Sequence, residues 1–364
     1  MTSEDPADDA RDVEVPVDRT PVALRVATWN ASMFREAPGS LQASLASGDD
    51  PHAASIARVL QHLRPDILLL NEFDGSVDDT TARAFASNFL AVAQDAALEP
   101  IEYPWIYVPA SNTGEPSGVD LDNSGSVVST PLAAGYGNDC HGFGQFPGQY
   151  GMAIFSRYPL QIEQARTFRL LRWVDLPGHR MPLDWYSEEA AEVLRLSSKN
   201  HVVLPVDVEG RTLHLLASHP TPPAFDGPEG RNRLRNHDEI ALWTRLLDGG
   251  TDCDAIVDDA GQAGCLPAEL DFVILGDLNS DPFDGSGIPD AIRALLAHPR
   301  VRDTRPASDG AVESADREGL ANWEHRGDPA VDTARFNPRG PGNLRVDYAL
   351  PSATLDVDTS GVFW

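Results

Sequence analysis

Lysine is nearly absent from this chain: Lys199 is the only one in 364 residues, and 28 basic residues face 56 acidic ones, for a formal net charge of −28. Nonspecific binding to duplex DNA depends on Lys and Arg displacing counterions from phosphates, so that class of partner is disfavoured. A local basic pocket remains compatible with the composition. Cysteine is scarce too, with Cys140, Cys253 and Cys265 alone and no C-x-x-C pair, so a cysteine zinc site has no support. Cys253 and Cys265 flank a short acidic, Gly-containing segment. They either close a loop disulfide in an oxidising compartment or stay as two buried thiols, with Cys140 left over. No apolar run is long enough to cross a bilayer. The acidic stretch from Met1 to about Thr20 has no apolar core of a signal peptide. Either the protein is cytoplasmic, or Met1 stands at the start of a mature exported chain.

What is present suffices for a large core, at 41% hydrophobic residues. Residues 1–22 read as a disordered acidic tail with few large apolar groups, and 23–364 as one domain. Val22 to Trp29 reads as a strand, and Ala31 to Pro51 as a small-residue loop. Ile56, Val59, Leu60 and Leu63 repeat at helical spacing, and Arg64-Pro65 ends that helix. Ile67 to Leu70 is a buried strand, and Thr80 to Gln94 a second helix. Gly114 to Gly148 reads as a long loop, which is uncommon unless functional or mobile. Met152 to Phe155 resumes strand character, and Thr167 to Ser198 is irregular. Val202–Val208 and Thr212–Ser218 suggest a hairpin around Glu209-Gly210. Helices follow at Asn236–Leu247 and near Asp290–Ala297. Leu344–Leu350 and Leu355–Phe363 read as closing strands.

One stretch organises the rest. The run Phe272-Val273-Ile274-Leu275 breaks into Gly276-Asp277-Leu278-Asn279, a buried strand delivering a carboxylate and a carboxamide at its carboxyl end. Two residues apart on extended backbone, Asp277 and Asn279 point to the same face. A carboxylate to orient water, beside an amide to donate to a phosphoryl oxygen, suits metal-assisted phosphoester hydrolysis. Taken alone, an Asx-turn accounts for the same residues. Four other strand ends have the same character: Thr28-Trp29-Asn30, Leu70-Asn71-Glu72, Ser218-His219-Pro220 and Arg345-Val346-Asp347-Tyr348. Complementary polar groups, each following an apolar run, imply convergence on one rim of a sandwich.

With these pieces in order, and with Tyr150-Gly151-Met152-Ala153-Ile154-Phe155-Ser156-Arg157 between them, the chain resembles the endonuclease/exonuclease/phosphatase superfamily from about Ala23 to its end. The resemblance implies the deoxyribonuclease I-like fold, an α/β four-layer α/β/β/α sandwich in a single domain. It also implies one or two divalent ions, usually Mg²⁺, with Mn²⁺ or Ca²⁺ as substitutes. Carried over residue by residue, Glu72 is the principal metal ligand, supported by Asn30; hard cations prefer such oxygen donors. Asp277 orients or activates water, Asn279 holds the phosphoryl group, and His219 donates to it as charge builds. Tyr150 matches a family tyrosine that contacts phosphate. The bland readings are a solvated strand-end carboxylate for Glu72, a turn former for Asn30, a structural histidine before proline for His219, and packing for Tyr150.

In the family, the aspartate matching Asp347 pairs with a histidine of a final Ser-Asp-His element. No such element lies between Asp347 and Trp364. The expectation is a carboxy-terminal truncation or, if the loss is natural, reduced activity. Two further segments look like subgroup features. Arg195-Leu196-Ser197-Ser198-Lys199-Asn200-His201 holds the only lysine. Arg231, Arg233, Arg235 and His237 follow His219 as a phosphate clamp of fork-shaped donors, or else as a charged helix start. The substrate-binding set is therefore Arg231, Arg235, Lys199 and His237. The resulting expectation is a metal-dependent phosphoesterase acting on a small or lipid-derived phosphoester. Its rivals are a nuclease using the same centre and a non-catalytic binding member.

Overall fold

The computed structural model describes residues 21–75 and 78–364; the expected tail at 1–22 lies almost wholly outside them. Strands β1 (Val26–Asn30), β2 (Ile67–Asn71), β3 (Trp105–Tyr107) and β4 (Met152–Ser156) form one sheet in the order β1-β2-β4-β3. A second sheet takes β5 (Arg166–Thr167), β6 (His201–Val208), β7 (Arg211–Ser218) and β8 (Phe272–Asp277). After a short ribbon of β9 (Ala334–Arg335) and β10 (Asn343–Leu344), β11 (Asp347–Pro351) completes it in the order β11-β8-β7-β6-β5. The pairs β1–β2 and β7–β8 are parallel and therefore need crossovers. Helices α1 (Ser40–Ser47) and α2 (Pro51–Leu63) supply the first. Further along lie α3 (Thr80–Phe85) and α4 (Glu188–Val193), then α5 (Arg231–Asp248), which supplies the second crossover, and α6 (Asp290–Leu296) and α7 (Asp309–Glu318).

The period-2 alternation of the strands sorts their side chains into three cores. Ile67, Leu69, Ile154, Leu204, Leu215, Val273 and Leu275 meet between the two sheets. Leu68, Leu70 and Phe155 face outward to Leu45, Ile56, Leu60 and Phe85 of the first helical layer. Leu216, Phe272 and Ile274 face Ile240, Trp243, Leu246 and Ile292 of the second. This is the four-layer α/β/β/α sandwich. Gly276, at φ +154°, marks the tightest strand approach: a Cβ there would lie 1.9 Å from the Ser218 carbonyl oxygen.

Several expected boundaries move. Helix α5 starts at Arg231 rather than Asn236. The helix expected over Thr80–Gln94 is α3 followed by one π turn, Ala86–Leu90. Helix α1 lies inside the stretch read as loop, where Ser, Ala and Gly obscure the Leu41–Leu45 pair that it buries. The strand expected at Leu344–Leu350 is split, because the Arg345 N–H turns to Asp281 Oδ2 (2.8 Å) and its guanidinium to Asp303 (2.6 and 2.9 Å). No strand forms over Leu355–Phe363. Lacking partners in either sheet, that segment has nothing to satisfy a ladder.

Of the two cysteine readings, the disulfide holds: Cys253 and Cys265 are joined across a Cα separation of 5.1 Å, and Cys140 is a buried free thiol. Denatured without reductant, the protein should titrate one thiol, and three after reduction. Because the bridge closes a short loop, reduction should lower stability by about 2–3 kcal/mol, read as a shift in the denaturation midpoint.

Candidate active site

Chain direction brings the polar strand ends to one rim. Asn30 at the end of β1 pairs with Asn71 at the end of β2, and Asp277 at the end of β8 pairs with Asp347 at the start of β11. The two sheets are pinned together there, since the Asp277 backbone N–H donates to Asn71 Oδ1 at 3.1 Å. Just beyond the strands, Glu72, Tyr150 and Asn279 adopt left-handed backbone (φ 55°, 56° and 52°). Non-glycine residues hold that conformation only where surrounding structure compels it, and such strain gathers at functional sites. Here it bends three site residues out of extended geometry at the rim.

Asn30 lies at the centre. Its Nδ2 donates to Glu72 Oε1 (2.9 Å) and to Asp277 Oδ2 (3.0 Å), while its Oδ1 accepts from the Ser32 N–H (3.1 Å). Asn30 thus braces two carboxylates as a donor, and the second lone pair of its Oδ1 remains for the metal ion expected there. Asn279 donates Nδ2 to the Pro220 carbonyl at 3.1 Å, and its backbone N–H reaches Asp277 Oδ1 at 2.9 Å. One of its amide hydrogens thus ties the His219 loop to the Asp277 strand, leaving the other for a ligand. Tyr150 packs its ring 4.8 Å from Phe34 and donates its N–H to Asp74 Oδ1. Its hydroxyl is pushed up by burial and by Glu72 and Asp74.

The electrostatics of the rim are strained in one direction. Burial pushes Asp277 up to about 6, with Glu72 adding to the rise and Asn30, the Asn279 N–H and Lys199 opposing it. Asp347 is held well above the usual carboxylate range by burial and by Asp277, and its Oδ1 is buried without a partner. His219 is kept neutral, well below the ordinary imidazole value, by burial and by the Lys199 charge. Its Nε2 stands 3.7 Å from Asp277 Oδ2, beyond hydrogen-bond reach, and neither ring nitrogen has a partner. Lys199 is buried, its affinity for the proton lowered by burial and restored in part by Glu239, Glu72 and Asp277. Buried, mutually repelling carboxylates with an orphaned oxygen are the donor set that a hard divalent cation fits. A second group of carboxylates, Asp120, Asp122 and Asp139, lies in the long loop with donor oxygens within 4.8 Å of one another. The sequence reading passed over that group. Asp139 already accepts from the N–H groups of Leu121 and Val128 there.

The expected phosphate clamp on α5 has mostly another role. Arg235 through Glu239 are all buried, five in succession. Arg235 Nε donates to the Leu196 carbonyl, and its Nη2 to the carbonyls of His141 and Arg195. Asn236 Nδ2 donates to the carbonyls of Thr221 and Leu278. His237 Nδ1 pairs with Asp238 Oδ1 at 2.9 Å, and Asp238 Oδ2 accepts from Trp173 Nε1 and the Arg180 N–H. Glu239 takes the N–H of Ser198 on one oxygen and the N–H of Thr221 on the other, both at 2.6 Å. Arg235 and His237 thus act as cross-links in this structure, and Arg235 also borders a cavity with Arg231 and Lys199. Glu239 and Asn236 were missed as site residues. Their one signal is five consecutive polar residues in a helix that lacks a clean apolar stripe. Glu239→Gln keeps the shape but turns an amide donor toward a backbone donor. It should cost about 2–3 kcal/mol in chemical denaturation, as for a buried charged acceptor.

A family model described as the endonuclease/exonuclease/phosphatase family matches residues 27–364. No curated protein matches the chain. Among solved structures, an endonuclease/exonuclease/phosphatase from Beutenbergia cavernae is 18% identical with a TM-score of 0.46; the match covers 92% of this chain and 66% of that one. Sphingomyelinase C from Streptomyces griseocarneus is 15% identical, covering 92% and 85%, with a TM-score of 0.47. A hairpin-deletion mutant of beta toxin from Staphylococcus aureus is 16% identical, covering 94% and 91%, with a TM-score of 0.46. By its matched family model, its sandwich and its rim, this chain belongs to the endonuclease/exonuclease/phosphatase family.

Proposed function

We propose that the chain hydrolyses a phosphoester, small or lipid-derived, with a divalent cation bound beside Glu72. The observation that carries this reading is the meeting of Glu72, Asp277, Asp347, His219 and Asn279 at one rim, where Asn30 holds two of the carboxylates. Mg²⁺, or Mn²⁺ or Ca²⁺ in its place, would neutralise charge on a phosphoryl oxygen. Glu72 would hold it, with Asp347 and Asp277 on the same rim. Asp277, poised near neutrality, orients the attacking water and takes its proton. Neutral His219 donates a ring N–H, and Asn279 its free amide hydrogen, to phosphoryl oxygens as charge builds. Lys199 adds a buried positive charge that interacts with Glu72 and Asp277. A net charge of −28 favours a compact phosphoester over a polyanionic duplex. The Cys253–Cys265 bridge supports an oxidising, exported location.

Hydrolysis of a chromogenic mono- or diester should need the divalent cation and stop with chelator. Asp277→Asn should reduce kcat by about 10²–10⁴-fold, as for loss of a general base. Undiminished turnover in that variant would remove Asp277 from the mechanism.

The same residue should make the metal-free protein pH-sensitive. The ordinary value for Asp277 is 3.8, and in the fold it is about 6. Between those values the folded chain binds more protons than the unfolded one, so stability falls as pH rises through the window and stays lowered above it. The cost is roughly 3 kcal/mol at most. In chelator, the Tm of Asp277→Asn relative to wild type should therefore be higher at pH 7.5 than at pH 4, on top of any fixed cost of turning an amide donor toward Asn30 Nδ2 or the Asn279 N–H. A gap independent of pH would show that Asp277 ionises normally.

A further inference from the structure

Beside the rim lies a cavity of about 50 Å³, where one water takes roughly 10–15 Å³ on the same scale, so it has room for a phosphoryl group. Its polar wall is Lys199, Arg231, Asn232, Arg235, Ser198 and Thr221, and no carboxylate lines it. In a chain with twice as many acidic as basic residues, that wall gathers the only lysine and two arginines. Among the described residues, none of the three cations forms an ion pair within 4.0 Å. The Glu239 carboxylate lies nearby, but both its oxygens are bonded to the Ser198 and Thr221 N–H groups. Arg231 reaches the Asn138 carbonyl at 3.5 Å, and its charge also faces the Tyr186 hydroxyl.

The hydroxyls point the same way. Ser198 and Thr221 are 3% and 8% exposed, and Ser198 Oγ and Thr221 Oγ1 have no hydrogen-bond partner. Glu239 anchors the backbone of both residues, so their side chains are placed rather than loose. A buried hydroxyl without a partner costs stability unless a ligand satisfies it. Lys199 and Arg235 are buried with no direct ion pair, their charge offset only at a distance by Glu239 and, for Lys199, by Glu72 and Asp277, which leaves a further cost. A tetrahedral oxyanion answers both, with its charge met by the cations and its oxygens by the hydroxyls. Lys199 belongs to this wall and to the rim of Glu72 and Asp277 alike, so an anion here would adjoin the reacting phosphoryl group.

We propose that this cavity is a subsite for a second, non-scissile phosphoryl group, which makes the preferred substrate a small phosphoester bearing at least two phosphates. The substrate part of this proposal rests on the phosphoesterase reading. Binding and hydrolysis therefore need separate tests.

The binding arm uses the full chain carrying Asp277→Asn, with inorganic pyrophosphate and orthophosphate as calorimetric probes. Adding Arg231→Met, or in its place Thr221→Val, should weaken binding about tenfold or more, the loss expected for a charge-assisted hydrogen bond. Thr221→Val is isosteric and removes an unpartnered hydroxyl, so Tm should hold or rise and misfolding cannot imitate the loss. Equal binding by all three proteins overturns the subsite. The kinetic arm compares a bisphosphate with a monophosphate of the same alcohol. The ratio of their kcat/KM values should favour the bisphosphate about tenfold and fall toward one in Arg231→Met. Variant-sensitive binding with no such preference would overturn the substrate class and leave a site for free phosphate. Variant-sensitive binding with no ester hydrolysed at all would sustain the anion site and refute the phosphoesterase reading.

Discussion

The site depends on one buried carboxylate. Glu239, fully enclosed on α5, accepts the backbone N–H groups of Ser198 and Thr221 on its two oxygens. One donor precedes Lys199 in sequence, and the other follows His219 and Pro220. A single side chain thereby braces the segments that carry Lys199 and His219 against each other. Its neighbour Asn236 ties Thr221 to Leu278, which adds the Asp277 strand to the same frame. Charge-assisted acceptors of this kind are stronger than neutral ones. Leaving either N–H unpaired in the interior would cost as much as an unmade hydrogen bond. The helix is consequently a scaffold for loops first, and at Arg231 and the edge of Arg235 a wall of the cavity.

A second constraint opposes stability rather than adding to it. Asp277 and Asp347 face each other across paired strands, and burial, with the charge of Glu72, raises both carboxyls. Hydrophobic packing on both faces of each sheet supplies the surplus that tolerates this repulsion. The left-handed residues at Glu72, Tyr150 and Asn279 belong to the same pattern. The strands themselves are regular; the strain begins where they end. A site that binds a cation and a phosphoryl group gains when its empty form is poorly compensated, because binding then relieves an existing cost.

Much of the fold is legible locally. The apolar runs Ile67–Leu70 and Phe272–Leu275 read as strands because few other structures bury four successive large side chains, and both are strands. The hairpin around Glu209-Gly210 reads from turn chemistry and forms as expected. Helix α1 is not legible, because its small polar residues favour loop and only packing of Leu41 and Leu45 overrides them. Arg231–Glu239 reads as a ligand clamp because isolated sequence cannot say whether a guanidinium meets phosphate or a carbonyl. The structure gives most of Arg235 to carbonyls, since α5 is sunk beneath three loops whose backbone groups need partners.

By itself the sequence determined which chemical groups end each strand, in what order, and hence the family: Asn30, Glu72, His219, Asp277, Asn279 and Asp347 each follow an apolar run. Strand geometry is set by residues within a few positions, so those ends could be placed without a partner in view. Tertiary structure alone decided what faces what across as many as 247 residues. It set Asn30 as a donor to two carboxylates, Glu239 as the clamp of two loops, and the cavity shared by Lys199, Arg231 and Arg235. Hydrogen-bond direction and desolvation depend on those distant neighbours, and no local pattern encodes them.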